Sequence, residues 1–190
     1  MGWEDSLKTY FILSAIGKDR PGIVAEVAEV IYECGGNIED SSMNLLRNHF
    51  ALLLLFSTER EEVRQKLFSG LKRLEWEKNL TVFYSPITLE EAYREVKGKA
   101  NRFKITTSGV DHAGMVYRVC RLFADRGINI INMETRRFLS AESGTPLFEM
   151  DIDIDIPPSI SEQGLREDLH RLANELVIDL VLEKKAGSSG

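Results

Sequence analysis

The feature that most constrains this chain is that it resembles itself. Displaced by 92 positions, Gly17-Lys18-Asp19-Arg20-Pro21-Gly22 falls on Gly109-Val110-Asp111-His112-Ala113-Gly114, with three identities in six. The same displacement carries Val24 onto Val116, Val27 onto Val119, Gly35 onto Gly127, Asn37 onto Asn129 and Ile38 onto Ile130. Eight identities in an ungapped 22-residue window exceed what a shared taste for helix caps explains, because capping does not fix an asparagine beyond the helix. With 190 residues and 43% apolar content, such a repeat points to two small cores of about 80 to 90 residues each.

Each copy carries the same order of elements. An apolar strand is expected at Thr9 to Ile16 and at Arg102 to Thr107, ending in a glycine-bounded turn. Asp19 and Asp111 stand where a helix-capping acid belongs, with Pro21 in the opening turn of the first helix. Ile23, Val24, Val27 and Ile31, and in the second copy Met115, Val116, Val119 and Phe123, follow the spacing of a core-facing helical stripe. Gly35 and Gly127 can take the left-handed conformation that stops a helix, and Asn37-Ile38 and Asn129-Ile130 open the next strand.

Third strands are expected at Ala51 to Phe56 and Pro146 to Ile156, and last strands at Leu80 to Tyr84 and Leu176 to Glu183. Second helices present Val63, Leu67, Leu71 and Leu74, and Leu165, Leu169, Leu172 and Leu176; a capping box at Thr58 and Glu61 would open the first. Ser85 to Asn101 reads as a short exposed helix around Thr88 and Glu91 that ends at Gly98 and docks the copies together. The expected division is residues 1–85, a linker at 86–101, residues 102–184, and a flexible tail at 185–190.

Composition excludes several classes of function. A net charge of -6 argues against a chain that binds nucleic acid by itself, which takes clustered Lys and Arg. The longest apolar run, Ala51 to Phe56, is too short to span a bilayer, and Met1 to Tyr10 lacks the basic and apolar regions of a secretion signal, so a cytoplasmic protein is expected. Cys34 and Cys120 form no paired framework and read as reduced core or flank residues. His49, His112 and His170 are scattered, no phosphate-binding loop is present, and the Asp151, Asp153, Asp155 row is the wet face of a strand rather than a calcium loop. No enzyme, metal or cofactor is expected.

The run Asp19-Arg20-Pro21-Gly22-Ile23-Val24 with Gly36-Asn37-Ile38, echoed by Asp111-His112-Ala113-Gly114-Met115-Val116 with Gly127-Ile128-Asn129-Ile130, resembles the ACT domain family over about 160 of the 190 residues. His112 and Ala113 depart from the pattern. The resemblance implies an α+β fold, two ferredoxin-like βαββαβ domains in tandem, with antiparallel sheets carrying helices on one face. It implies sheets paired side by side, within the chain or across a homodimer. It also implies an amino-acid site where two domains meet, the helix-one turn of one facing the strand-two start of its neighbour. Carried over by position, the ligand-binding residues are Asp19, Arg20, Gly22, Ile23, Asn37 and Ile38, and Asp111, His112, Gly114, Met115, Asn129 and Ile130.

Backbone N–H groups and the positive dipole end at a helix start suit a carboxylate, while an Asp or Asn oxygen suits an ammonium. Two such domains without a catalytic one resemble the glycine cleavage repressor group. That implies a sensor of glycine or a similar small amino acid, acting on transcription through a DNA-binding activator rather than on DNA. The alternative is a ligand-free regulatory subunit or interaction module for an amino-acid or one-carbon enzyme. A detached regulatory half of a formyltetrahydrofolate deformylase is a weaker reading, since no residues remain for a hydrolase domain.

Overall fold

The structure is a computed structural model and describes residues 8–59, 63–93 and 101–185, without the side chains of Val63 and Arg64. The chain divides into compact units at Met1–Lys97 and Gly98–Gly190.

The first unit runs β1 (Thr9–Lys18), α1 (Ile23–Glu33), β2 (Gly36–Leu46), β3 (His49–Thr58), α2 (Val63–Lys78) and β4 (Thr81–Ile87), followed by a one-turn helix α3 (Leu89–Ala92). The second runs β5 (Asn101–Val110), α4 (Met115–Asp125), β6 (Asn129–Leu139), β7 (Pro146–Ile156), α5 (Glu162–Leu176) and β8 (Ile178–Lys184). Each is βαββαβ. The sheets have the orders β2-β3-β1-β4 and β6-β7-β5-β8, with every neighbouring pair antiparallel. These are the two small modules that the repeat predicts, with the tandem ferredoxin-like fold that the resemblance implies.

One face of each sheet is packed. In the first unit Phe11, Leu13, Ala15, Phe50, Leu52, Leu54 and Phe56 meet Ile23, Val27 and Ile31 of α1 and Leu67, Leu71 and Leu74 of α2. In the second, Phe103, Ile105, Met150, Ile152, Ile154 and Ile156 meet Met115, Val119 and Phe123 of α4 and Leu165, Leu169, Leu172 and Leu176 of α5. The strand alternation and most of the helical stripes are therefore as expected. Val24 is the exception, at 42% exposed, and Val116 lies at the margin of its core. They lie one residue after Ile23 and Met115, so a 100° step carries them to the flank of the helix.

Several boundaries move. β7 keeps its expected bounds, while β1, β3 and β5 gain one to three residues at their ends because the ladders Thr9↔Thr58 to Lys18↔His49 and Asn101↔Ile156 to Val110↔Leu147 pair over their full length. Likewise β4 continues to Ile87, past the expected end of the first module, paired to Tyr10. At the far end α5 keeps Leu176 and Val177 caps it with φ 53°, so β8 begins only at Ile178. Thr88 closes a capping box with Glu91 at the start of α3, and the Tyr93 ring beside α3 meets Tyr10 edge-on at 5.6 Å. The expected stop at Gly98 and the expected partner Glu61 of Thr58 lie outside the described residues.

The outer sheet faces differ in chemistry. Where β1 and β3 expose Ile12, Leu53 and Leu55, β5 and β7 carry Lys104, Asp151 and Asp153 in the same places. Lys104 pairs with Asp151 at 3.0 Å and Lys185 with Asp153 at 2.7 Å, so these two aspartates lie on an ion-paired face, whereas Asp155 Oδ1 is buried without a hydrogen-bond partner among the described residues.

The second core holds one polar anomaly. Thr107 is fully buried and its hydroxyl has no hydrogen-bond partner among the described residues, whereas the first copy has Ala15 there. A buried hydroxyl without a partner costs about 1 to 3 kcal/mol. Thr107→Val keeps the shape and removes the oxygen. Urea unfolding followed by circular dichroism is expected to show a gain of about 1 kcal/mol.

Candidate functional site

The two turns that precede α1 and α4 are built alike. Gly22 and Gly114 occupy the N-cap positions with φ 88° and 95°, and neither helix start has a side-chain cap. This corrects the expectation that Asp19 and Asp111 cap the helices and that Pro21 lies in the first helical turn. The turn Arg20-Pro21-Gly22 comes first, closed by the Ile23 N–H donating to the Arg20 carbonyl at 3.4 Å, and leaves the aspartates too far back to cap. A left-handed N-cap needs glycine at both positions, which explains that identity in the repeat. The first intrahelical bonds are Glu26 N–H to the Gly22 carbonyl and Arg118 N–H to the Gly114 carbonyl, at 3.0 and 2.9 Å. The N–H groups of Val24 and Ala25, and of Val116 and Tyr117, precede those bonds and face outward from the helix starts.

Backbone bonds also fix the turns to the sheets: Asp19 N–H donates to Asn48 and Asp111 N–H to Pro146, each at 2.9 Å. The side chains then diverge. Arg20 folds back onto α1, its Nη1 donating to Glu26 Oε1 at 3.0 Å and its Nη2 making a second bond to Glu26, while Lys78 at the end of α2 stands 3.4 Å from that carboxylate. The Arg20 bond, with help from Lys78, holds the Glu26 carboxyl below its usual range against a smaller opposing effect of burial. His112 instead places Nε2 3.0 Å from the Leu176 carbonyl at the end of α5. Arg20 thus ties its turn to the first helix, where Glu26 also meets Lys78 of α2, whereas His112 ties its turn directly to the end of the second helix. Asp111 accepts from Arg137 Nε of β6 at 2.5 Å, but Asp19 has no side-chain partner among the described residues. Ile23 and Met115 point into the cores, so their side chains are core residues.

Asn37 and Asn129 open β2 and β6 at the other end of each first helix. An 11-residue helix spans about 16 Å, so one module does not bring its own turn and its own asparagine together. Asn37 pairs with Ser57 across the ladder and donates to Glu39 Oε1 at 3.4 Å; Ser57 donates to the same oxygen at 2.5 Å and holds the Glu39 carboxyl below its usual range. Ile38 is 41% exposed, whereas Ile130 lies against the second core. Both edge strands are bulged just after the isoleucine, between Ile38 and Asp40 and between Ile130 and Asn132. That bulge turns Glu39 onto the ladder and is a device that the sequence pattern did not announce.

Other chemistry is sparse. Burial pushes both the Cys34 and the Cys120 thiols up, which leaves them protonated and poor nucleophiles near neutral pH. No group of three or more His, Cys, Asp or Glu suited to a metal occurs among the described residues. A cavity of about 240 Å³ lies on the outer face of the first sheet near α3, lined by Ile12, Asp40, Leu55 and Ile87 among others, and touches none of the motif residues.

With this geometry in hand, the family can be read directly. Residues 9–85, which span the first unit from β1 to β4, match the model of the ACT domain. The first unit is an ACT domain. The second unit repeats the fold and the motif positions, which makes the chain a tandem of two such modules. Over 52 residues it is 40% identical to the glycine cleavage system transcriptional repressor of Escherichia coli; the match takes in 27% of this chain and 27% of that relative. A UPF0237 protein of Methanopyrus kandleri is 42% identical over 55 residues, 29% of this chain and 61% of the relative. In structure it is similar to an unknown protein from Galdieria sulphuraria, with a TM-score of 0.75 and 24% identity over 94% of this chain and 99% of that one. A candidate glycine cleavage system transcriptional repressor of known structure gives a TM-score of 0.70 and 20% identity, over 96% and 100%. These two likenesses establish the fold.

Proposed function

We propose that this tandem ACT protein is a non-catalytic cytoplasmic regulator that takes a small amino acid, glycine or one of similar size, and reports its presence to a protein partner. The observation that carries the reading is the turn built twice, with a left-handed glycine at the N-cap and outward N–H groups at a helix start. Such a turn suits a carboxylate, and the aspartate beside it, or an asparagine presented by a neighbouring module, suits the ammonium. The name of the Escherichia coli relative supports control of glycine-cleavage genes, and the acidic balance of the chain supports action through a DNA-binding activator rather than on DNA. No helix among the described residues is long and apolar enough to cross a membrane.

A second reading, an interaction module without a ligand, is favoured by the internal partners already held by Arg20 and His112. Isothermal titration with glycine, serine, alanine and the branched-chain amino acids, repeated on Asn37→Ala and Asn129→Ala, separates them. Saturable heat that is lost in an asparagine variant is the expected result. Silence toward every amino acid would sink the sensor reading and leave the interaction module.

A further inference from the structure

The two turns are not electrostatically equal, and the cause lies on the edge strands. Arg137 of β6 reaches back to Asp111, and its place in the first module is taken by Leu45 of β2. The register agrees with the repeat, since Arg137 lies across from Phe148 and Leu45 across from Phe50. Leucine has nothing to offer Asp19, whose carboxylate makes no hydrogen bond or ion pair among the described residues. In the second module the position suited to a ligand ammonium is thus occupied by a guanidinium from the same chain, and His112 is tied to the α5 end beside it.

Resting on the amino-acid reading above, we infer that Arg137 acts as an internal competitor for the ammonium of a ligand, so that the turn at Asp19 is the stronger site and the turn at Asp111 the weaker. A ligand entering the second turn has to displace Arg137 from Asp111 or bind without that contact. The Arg137 side chain is 58% exposed and that of Asp111 26%, so the pair is a surface one. An exposed pair of this kind sets the disadvantage of the second turn at up to about fivefold. Salt screens such a pair, so the difference between the turns should shrink as ionic strength rises.

Equilibrium dialysis of the full chain against radiolabelled glycine, and separately serine, tests this. Wild type is expected to bind in two classes that differ up to about fivefold. Arg137→Leu, which copies the first module, should merge them at the higher affinity. The reciprocal Leu45→Arg should weaken the stronger class by a similar factor. Two equal classes in wild type, or an Arg137→Leu protein with unchanged binding, overturns the inference while leaving the amino-acid reading intact. Absence of binding by wild type and both variants overturns that reading, and the inference with it.

Discussion

Phe56→Ala should cost the first module about 3 to 5 kcal/mol, the range for truncating a fully buried phenylalanine. Phe56 lies on β3 with no exposed surface, stacked on Phe11 at 5.2 Å between ring centroids, and sits across the ladder from Ile38. Truncation therefore removes more than transfer energy. It unseats Phe11 on the central strand and the wall against which β2 begins, and close packing leaves nothing nearby to fill the gap. A domain of this size has about 5 to 15 kcal/mol in hand, so the loss approaches the whole stability of the module. The second module has a core of its own, built from Phe103, Met150, Phe123 and their neighbours. Methyl spectra of the variant are expected to lose dispersion for Leu13, Leu54 and Leu67 while Ile105, Ile152 and Ile154 keep theirs. Simultaneous loss of both sets would show that the two cores do not unfold as separate units.

How much of this could be read from the sequence depends on range along the chain. The helix stops were legible because Gly35 and Gly127 act locally, and both adopt positive φ, 71° and 65°. At α4 the stop is a full Schellman arrangement, with Ile128 N–H donating to Phe123 and Gly127 N–H to Ala124. The apolar strands and stripes were legible because burial imposes a period of 2 or 3.6. The helix starts were misread because capping statistics favour an acid, whereas a left-handed glycine three residues later removes the need for one. The side-chain partners of the turns were out of reach. Arg20 to Glu26 spans six residues, Asp111 to Arg137 twenty-six and His112 to Leu176 sixty-four, and no periodicity links such pairs. The candidate site was thus legible as a motif, while the partners its side chains hold were legible only in three dimensions.

One identity of the repeat, Gly17 with Gly109, yields a further result: Gly109→Ala is expected to cost about 1 to 3 kcal/mol, the range for overpacking a filled site. Gly109 pairs across the sheet with Ile178, the first residue of β8. A methyl group placed on Gly109 would stand 2.6 Å from Ile178 Cγ2 and 3.3 Å from its Cα. A rotamer change relieves the first contact but not the second, so the return of β8 must shift. Gly17 has the same task in the first module, where an added methyl meets Leu80 at 2.5 Å and the Asn79 carbonyl at 3.4 Å. Glycine thus recurs at the end of both first strands because the chain leaving the second helix crosses close over it, a packing reason that requires no unusual backbone angle. The double variant Gly109→Ala with Ile178→Ala tests the mechanism. The second change removes Cγ2 and with it the 2.6 Å contact while leaving Cα in place, so if that clash contributes, the two penalties measured by urea unfolding sum to more than the double variant loses. Strict additivity would place the need for Gly109 in the close approach of the β8 backbone or in the backbone freedom of the strand end rather than in its contact with the Ile178 side chain beyond Cβ.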